Sequence, residues 1–317
     1  MLDSALGTLL YTLKVELLTF CVQKFGIELA NRKHKRGILF MKTIKEAWQQ
    51  ATARLYKFKI NDAELDAWYL LSFVTGLTRA EFFVKGEELL TEEQEAEYEA
   101  LLARRTSHEP LQYIIGTQEF MGLSFVVRDG VLIPRQETEL LVEEVLPFAK
   151  EKSVLDMCTG SGCIILSLAK MALPKQAVGV DISERALDVA KENGKRLEVP
   201  ITWVQSNLFE TVEGTFDVIV SNPPYISSSV IPELMPEVRE YEPLLALDGK
   251  EDGLFFYREI IKQAKEHLVL GGRIFFEIGH DQGEAVSKLL LEEGYSDIKV
   301  KQDYAGLDRI VSARYGE

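Results

Sequence analysis

The chain is 317 residues long, 46% hydrophobic, and carries a net charge of −14. That length suggests two domains and the apolar content excludes disorder, while the acidic balance disfavours a long-lived grip on DNA or an anionic membrane, since phosphate neutralisation needs clustered Lys and Arg. The three cysteines, Cys21, Cys158 and Cys163, lack zinc-like spacing and read as reduced cytosolic thiols, and no run of eighteen uncharged apolar residues could form a transmembrane helix.

Residues 1–40 carry six Lys or Arg against three Asp or Glu, so this segment is at +3 and the remainder at −17. Lys14 and Glu16 interrupt its apolar part, which spoils a signal-peptide core. The run Asn31-Arg32-Lys33-His34-Lys35-Arg36 reads as a solvated charge run rather than a nucleic-acid patch. Met41 opens a clean helical pattern, and translation is expected to begin there, with 1–40 an upstream extension.

Residues 41–109 are expected to form a small helical domain. Thr43 and Glu46, Asn61 and Glu64, Thr78 and Glu81, and Thr91 and Gln94 have the spacing of capping boxes, in which two short polar contacts satisfy orphan N–H groups. Ile44, Ala47, Trp48, Ala51 and Leu55 fall on one face of the first helix, and Gly76 suits the end of the second. The segment holds no catalytic or metal-binding pattern, so its expected job is contact, with a plain scaffold the competing reading.

Residues 110–131 read as a β-hairpin linker built from Leu111–Gly116 and Leu123–Val127, with Asp129-Gly130 as a turn. A helix then runs to about Lys150, with Thr138 as its expected N-cap. From Ser153 strands and helices alternate, which indicates a doubly wound, largely parallel α/β sheet. Seven strands are expected, at 153–158, 177–182, 202–206, 216–221, 272–278, 297–302 and 308–314. The helices fall at about 162–172, 184–196, 254–269 and 282–293. The catalytic domain is placed at 132–317.

The first of these strands runs through Val154-Leu155-Asp156-Met157-Cys158 into Thr159-Gly160-Ser161-Gly162 and an apolar helix. Such a turn lets backbone approach a ligand. Ile165 occupies the third glycine position of a dinucleotide fingerprint, and the Lys-Ser/Thr of a P-loop is missing, so both of those chemistries are disfavoured. Asp181 ends the next strand, where a carboxylate can accept both ribose hydroxyls of an adenosine. Asn207 and Leu208 follow the third strand and would meet the adenine edge. After the fourth comes Asn222-Pro223-Pro224-Tyr225, a lip stiffened by proline. It aims Asn222, leaves the Pro223 carbonyl unpaired and sets an aromatic ring, Tyr225, beside both. As an ordered series these elements describe S-adenosylmethionine bound along the carboxyl edge of a sheet, with a clamp for a planar NH2 group.

The chain from Met41 onward resembles the release-factor glutamine methyltransferase family. The match is carried by Pro110-Leu111-Gln112-Tyr113, by Leu132-Ile133-Pro134-Arg135-Gln136-Glu137-Thr138-Glu139, by the glycine loop and by Asn222 to Ile226. Tyr241-Glu242-Pro243, Ala246-Leu247-Asp248-Gly249, Asp252-Gly253-Leu254 and Glu277-Ile278-Gly279 ahead of Gln282 extend it. The chain departs from the family at Cys158 and Lys250, both usually glycine, at Gln136, usually proline, and at Asn207, often acidic. The resemblance implies a seven-stranded S-adenosylmethionine-dependent methyltransferase sheet with a helical domain that docks the substrate. The implied reaction is methylation of the glutamine side-chain amide in the Gly-Gly-Gln motif of class 1 peptide chain release factors, in the cytoplasm. Cys158, Thr159, Gly160, Ser161, Gly162, Asp181, Asn207, Leu208 and Asn222 would hold the cofactor. Asn222, Pro223, Pro224 and Tyr225 would hold the substrate amide, with Asn222, Pro223 and Tyr225 carrying catalysis and no metal taking part. His108, His267 and His280, placed in a linker, a helix and a strand-end loop, read as structural. The alternatives are glutamine methylation of a ribosomal protein, adenine-N6 DNA methylation, and a non-catalytic adapter.

Overall fold

The computed structural model describes residues 41–316, so the expectations for 1–40, Cys21 included, lie outside the described residues. The described residues fall into two compact units, 41–106 and 107–316. In the first, helices α1 (Ile44–Lys57), α2 (Ala63–Thr75), α3 (Arg79–Lys85) and α4 (Glu92–Thr106) surround Leu55, Leu70, Leu71 and Tyr98. Three of the expected capping boxes form: at Thr43, at Thr78 and at Thr91. The fourth does not. Helix α2 starts one residue later, with Asp62 at its N-cap and no side-chain cap. Gly76 closes α2 in the left-handed conformation. Ile44, Ala47, Ala51 and Leu55 are buried as the helical periodicity requires, while Trp48 is half-buried and meets Phe82 edge to face.

The second unit opens with a correction. Leu111–Ile115 is a short helix, α5, because Pro110 sits just before its first turn and Gly116 ends it with φ +85°. The hairpin begins only afterwards, as β1 (Thr117–Phe120) and β2 (Leu123–Val126), reversing through Met121 and Gly122 rather than at Asp129-Gly130. Helix α6 (Gln136–Ala149) starts before Thr138, with Arg135 at its N-cap. Thr138 is therefore inside the first turn, and it is buried.

Seven strands then form one sheet: β3 (Ser153–Met157), β4 (Gln176–Asp181), β5 (Thr202–Gln205), β6 (Phe216–Ser221), β7 (Leu268–Glu277), β8 (Tyr295–Gln302) and β9 (Asp308–Tyr315). Their order is β5-β4-β3-β6-β7-β9-β8, parallel except where β9 runs against β7 and β8. Helices α7 (Cys163–Ala172) and α8 (Glu184–Leu197) follow β3 and β4, and α11 (Phe255–Ala264) and α12 (Gly283–Glu292) flank β7. His267 lies in the turn after α11, which stops at Ala264, and not in a helix. Because side chains alternate along a strand, each face builds its own core. Leu155, Ile219, Phe276 and Val311 face Tyr257 and Ile260 of α11, whereas Val154, Val218, Phe275 and Ile310 face α6 and α7. No helix among the described residues is long and apolar enough to cross a membrane.

One buried polar side chain ties hairpin to sheet. Asn193 of α8 is fully buried; its Oδ1 accepts from Val126 N at 2.7 Å, and its Nδ2 donates to Val126 O at 3.1 Å and Ser161 O at 3.0 Å. It pairs with Val126 as a neighbouring strand would and holds the glycine loop with its remaining proton. Replacing it by Leu leaves three buried backbone groups without partners, each costing about 1–3 kcal/mol. Asn193→Leu is expected to lower unfolding free energy by about 3 kcal/mol or more in urea titration.

Candidate active site

The strand order reverses between β3 and β6, the place where an open α/β sheet leaves a crevice at its carboxyl ends. A cavity of about 300 Å³ lies there. Cys158, Thr159, Gly160 and Ser161 from the loop after β3 line it. So do Asp181, Asn207 and Leu208 from the ends of β4 and β5, and Asn222 and Pro224 from the lip after β6. The structure thus brings together nine of the twelve expected site residues. Gly162, Pro223 and Tyr225 are not among the lining residues. Gly162 backs onto Trp203, whose ring would lie 2.9 Å from a Cβ at that position. Pro223 is buried, and Tyr225 is half-buried with its side chain against the core beneath the lip.

The loop is shaped from below. Asp156 is fully buried and accepts from Thr159 Oγ1 at 2.6 Å, while its Oδ1 has no hydrogen-bond partner among the described residues; burial pushes this carboxyl up to about 7. Gly160 adopts φ +56°, and a Cβ there would touch nothing among the described residues, so its backbone borders open space. Its N–H donates to Asp181 Oδ2 at 2.9 Å, and Ser183 N–H donates to Oδ1 at 2.9 Å. These two contacts fix the carboxylate while leaving each oxygen a second lone pair. Burial still raises the Asp181 pKa. Asn207 is held by Glu210, whose Oε1 accepts from Nδ2 at 2.6 Å. The Cys158 and Cys163 thiols are pushed up by burial, Cys163 to about 12, which keeps them protonated and poor nucleophiles. Cys158 occupies the left-handed region at φ +63° and Lys250 at φ +70°, conformations that favour glycine.

The lip is braced on its outer side. Tyr225 O accepts from Gln282 Nε2 at 3.0 Å, and Gln282 Oε1 accepts from Gly279 N at 2.9 Å. Ile226 bridges to the segment before Gly249, with Ile226 N donating to Leu247 O and Gly249 N donating to Ile226 O. Gly249 and Gly253 press so close that a Cβ on either would meet Tyr225 backbone at 2.8 Å or less. The other wall is closed by an ion pair: Arg135 Nη2 lies 2.5 Å from Glu242 Oε1, and Ile133 N donates to Glu242 Oε2 at 3.3 Å. The Glu242 carboxyl is raised by burial and pulled back by Arg135. The short helices α9 (Pro236–Tyr241) and α10 (Leu244–Leu247), which carry this wall, have no clear periodic signature and were not expected from the sequence. Among the described residues, no three His, Cys, Asp or Glu side chains are grouped to hold a metal.

Two family models match the chain: PrmC N-terminal domain over residues 46–116 and Methyltransferase small domain over 135–235. A release factor glutamine methyltransferase of Geobacter sulfurreducens is 44% identical over 276 residues, covering 86% of this chain and 97% of that protein. The chain belongs to the release factor glutamine methyltransferase family. The enzyme of the same name from Thermodesulfovibrio yellowstonii is 41% identical over 262 residues, covering 80% of this chain and 93% of its own. The Clostridium botulinum one is 41% identical over 268 residues, covering 82% and 95%. Ile133-Pro134-Arg135 and Tyr241-Glu242-Pro243, separate stretches of the family resemblance, are thus two halves of one half-buried ion pair in this member.

Proposed function

We propose that the protein methylates the side-chain amide nitrogen of the glutamine in the Gly-Gly-Gln motif of class 1 peptide chain release factors, using S-adenosylmethionine. One observation carries this reading: the amide-directed Asn222 and the adenosine-directed Gly160, Asp181 and Asn207 open onto the same cavity. The residues fit the cofactor. Asp181 keeps acceptor capacity toward two hydroxyls, the bare Gly160 backbone admits a close approach, and Leu208 offers an apolar face to an adenine. Bound there, S-adenosylmethionine supplies an already activated methyl on a sulfonium.

The chain's own residues then supply orientation. An amide nitrogen is a weak nucleophile because its lone pair is shared with the carbonyl, so it must be held at near-attack geometry. Asn222 Oδ1 and the Pro223 carbonyl, which receives no hydrogen bond among the described residues, accept the two N–H protons of the target. Both acceptors also stabilise positive charge developing on that nitrogen. The Pro223-Pro224 pair keeps the two acceptors from turning away. Tyr225, whose ring packs into the core rather than into the cavity, stiffens the lip from the core side. In the helical unit, Phe83 and Val84 lie largely exposed, and that unit is the part assigned to docking the release factor.

The reading is tested with labelled S-adenosylmethionine and purified release factor, duplex DNA and ribosomal proteins, with the modified residue mapped by mass spectrometry. Label on the Gly-Gly-Gln glutamine alone is the expected result. Label on adenine or only on a ribosomal protein would replace it with one of the alternatives.

A further inference from the structure

Behind the lip lies a carboxylate that orientation by Asn222 and Pro223 does not use. Ser221 of β6 is in register with Phe276 of β7, so Asn222 and Glu277 leave adjacent parallel strands side by side. Glu277 is 1% exposed, does not line the cavity, and its Oε2 has no hydrogen-bond partner among the described residues. The Thr138 and Asn222 side chains both lie against this carboxyl and favour its charged form. Asn222 Nδ2 points at Thr138 Oγ1, 3.3 Å away.

We propose that Glu277 is a positioning residue that decides which end of the Asn222 carboxamide faces the substrate. This rests on the methyl-transfer reading above. An ionised carboxylate only accepts hydrogen bonds, so it attracts the NH2 end of Asn222 and repels the carbonyl end. Thr138 has a single hydroxyl proton. Once its oxygen accepts from Asn222 Nδ2, that proton is directed to Glu277. Asn222 Oδ1 is then turned into the cavity as an acceptor for the target amide. With the carboxamide reversed, one NH2 group would face another and the nitrogen would be pushed out of line.

The setting makes the device sensitive to pH. Around Glu277 stand Arg309 of β9, which favours the anion, and Glu137 of α6, which opposes it. Tyr225 of the lip, Tyr257 of α11 and Cys163 of α7 also feel its charge, and burial keeps all three protonated. Burial outweighs the rest and brings Glu277 to about 7. Below that pH a protonated Glu277 can donate to Asn222 Oδ1 and reverse the carboxamide. Turnover should therefore rise as pH increases through neutrality.

The experiment compares full-length wild type, E277Q, T138V, T138S and E277Q combined with T138V in methyl transfer to the release factor across neutral pH. It also follows the glutamate carboxyls of the ligand-free protein by ¹³C NMR. E277Q and T138V are each expected to lower kcat by about 10–100-fold, with KM changed by less than about twofold. E277Q should flatten the rise near pH 7 and remove one carboxyl resonance titrating there. T138S should keep wild-type behaviour, and the double variant should be no worse than E277Q alone. T138V and the NMR titration of wild type keep the proposal falsifiable if E277Q does not fold. Wild-type kcat in either E277Q or T138V, an unchanged pH profile in E277Q, or no glutamate carboxyl titrating near neutrality would overturn it. Wild type that transfers no methyl to the release factor would overturn the function reading, and this inference with it; the other outcomes strike the inference alone.

Discussion

Asn222→Ala should lose turnover by about 10²–10³-fold while retaining near-normal affinity for S-adenosylmethionine. In the proposed mechanism the substitution removes one of two acceptors aimed at charge that develops only during transfer, and losing such a group from a preorganised site costs about 3–4 kcal/mol. Binding of the adenosyl portion should be spared, because Asp181 and Gly160 are held by their own contacts with each other and with Ser183. Asp181→Ala provides the opposite case, weakening cofactor binding first. Calorimetry for affinity and single-turnover methyl transfer for rate separate the two. An Asn222→Ala protein with wild-type rate would remove the clamp from the mechanism.

Gly253→Ala is expected to damage both stability and rate, although residue 253 does not line the cavity. Gly253 has φ +73°, where a side chain costs about 1–2 kcal/mol. A Cβ would also sit 2.4 Å from Tyr225 O and 2.7 Å from Gln282 Nε2. The first of these is backbone and cannot rotate away, so the lip itself must move and the Gln282 brace must open. Overpacking of this kind adds about 1–3 kcal/mol, and a shift of the lip near 1 Å would cost about 10²-fold in kcat. Denaturant titration and kcat measured together test this. Gly160→Ala offers the contrast: its Cβ meets nothing, so the lip is undisturbed and the loss should fall on cofactor affinity.

Much of this fold is legible from local pattern. The capping boxes at Thr43, Thr78 and Thr91 form because the two partners are three residues apart and need nothing else to meet. The seven strands are legible because β-branched runs alternate with helical periodicity. Local pattern fails where two local rules compete. Tyr113-Ile114-Ile115 has strand composition, yet Pro110 and Gly116 frame it as a helix, and Tyr113 OH donates to Val131 O at 2.5 Å to keep it so. Asn61 and Asp62 offer adjacent caps, and the helix uses the second position. Thr138 has a capping side chain but serves inside the site instead, next to Asn222.

The partners of the site are a different matter. Arg135 and Glu242 are 107 residues apart, Asn193 and Val126 67, and Tyr225 and Gln282 57. Residue types alone do not say which charge or amide will meet which backbone group at such distances. Composition, spacing and periodicity by themselves determined the alternating α/β architecture, the glycine turn, the acidic strand end and the proline lip, because each of these depends on backbone preferences within a few residues. Only the tertiary structure decided that the Arg135 and Glu242 segments close one wall, that Gln282 and two glycines brace Tyr225, and that Glu277 lies beside Asn222. Those facts depend on strand order and register, which bring distant chain ends to one edge of the sheet and leave buried polar groups to find partners there.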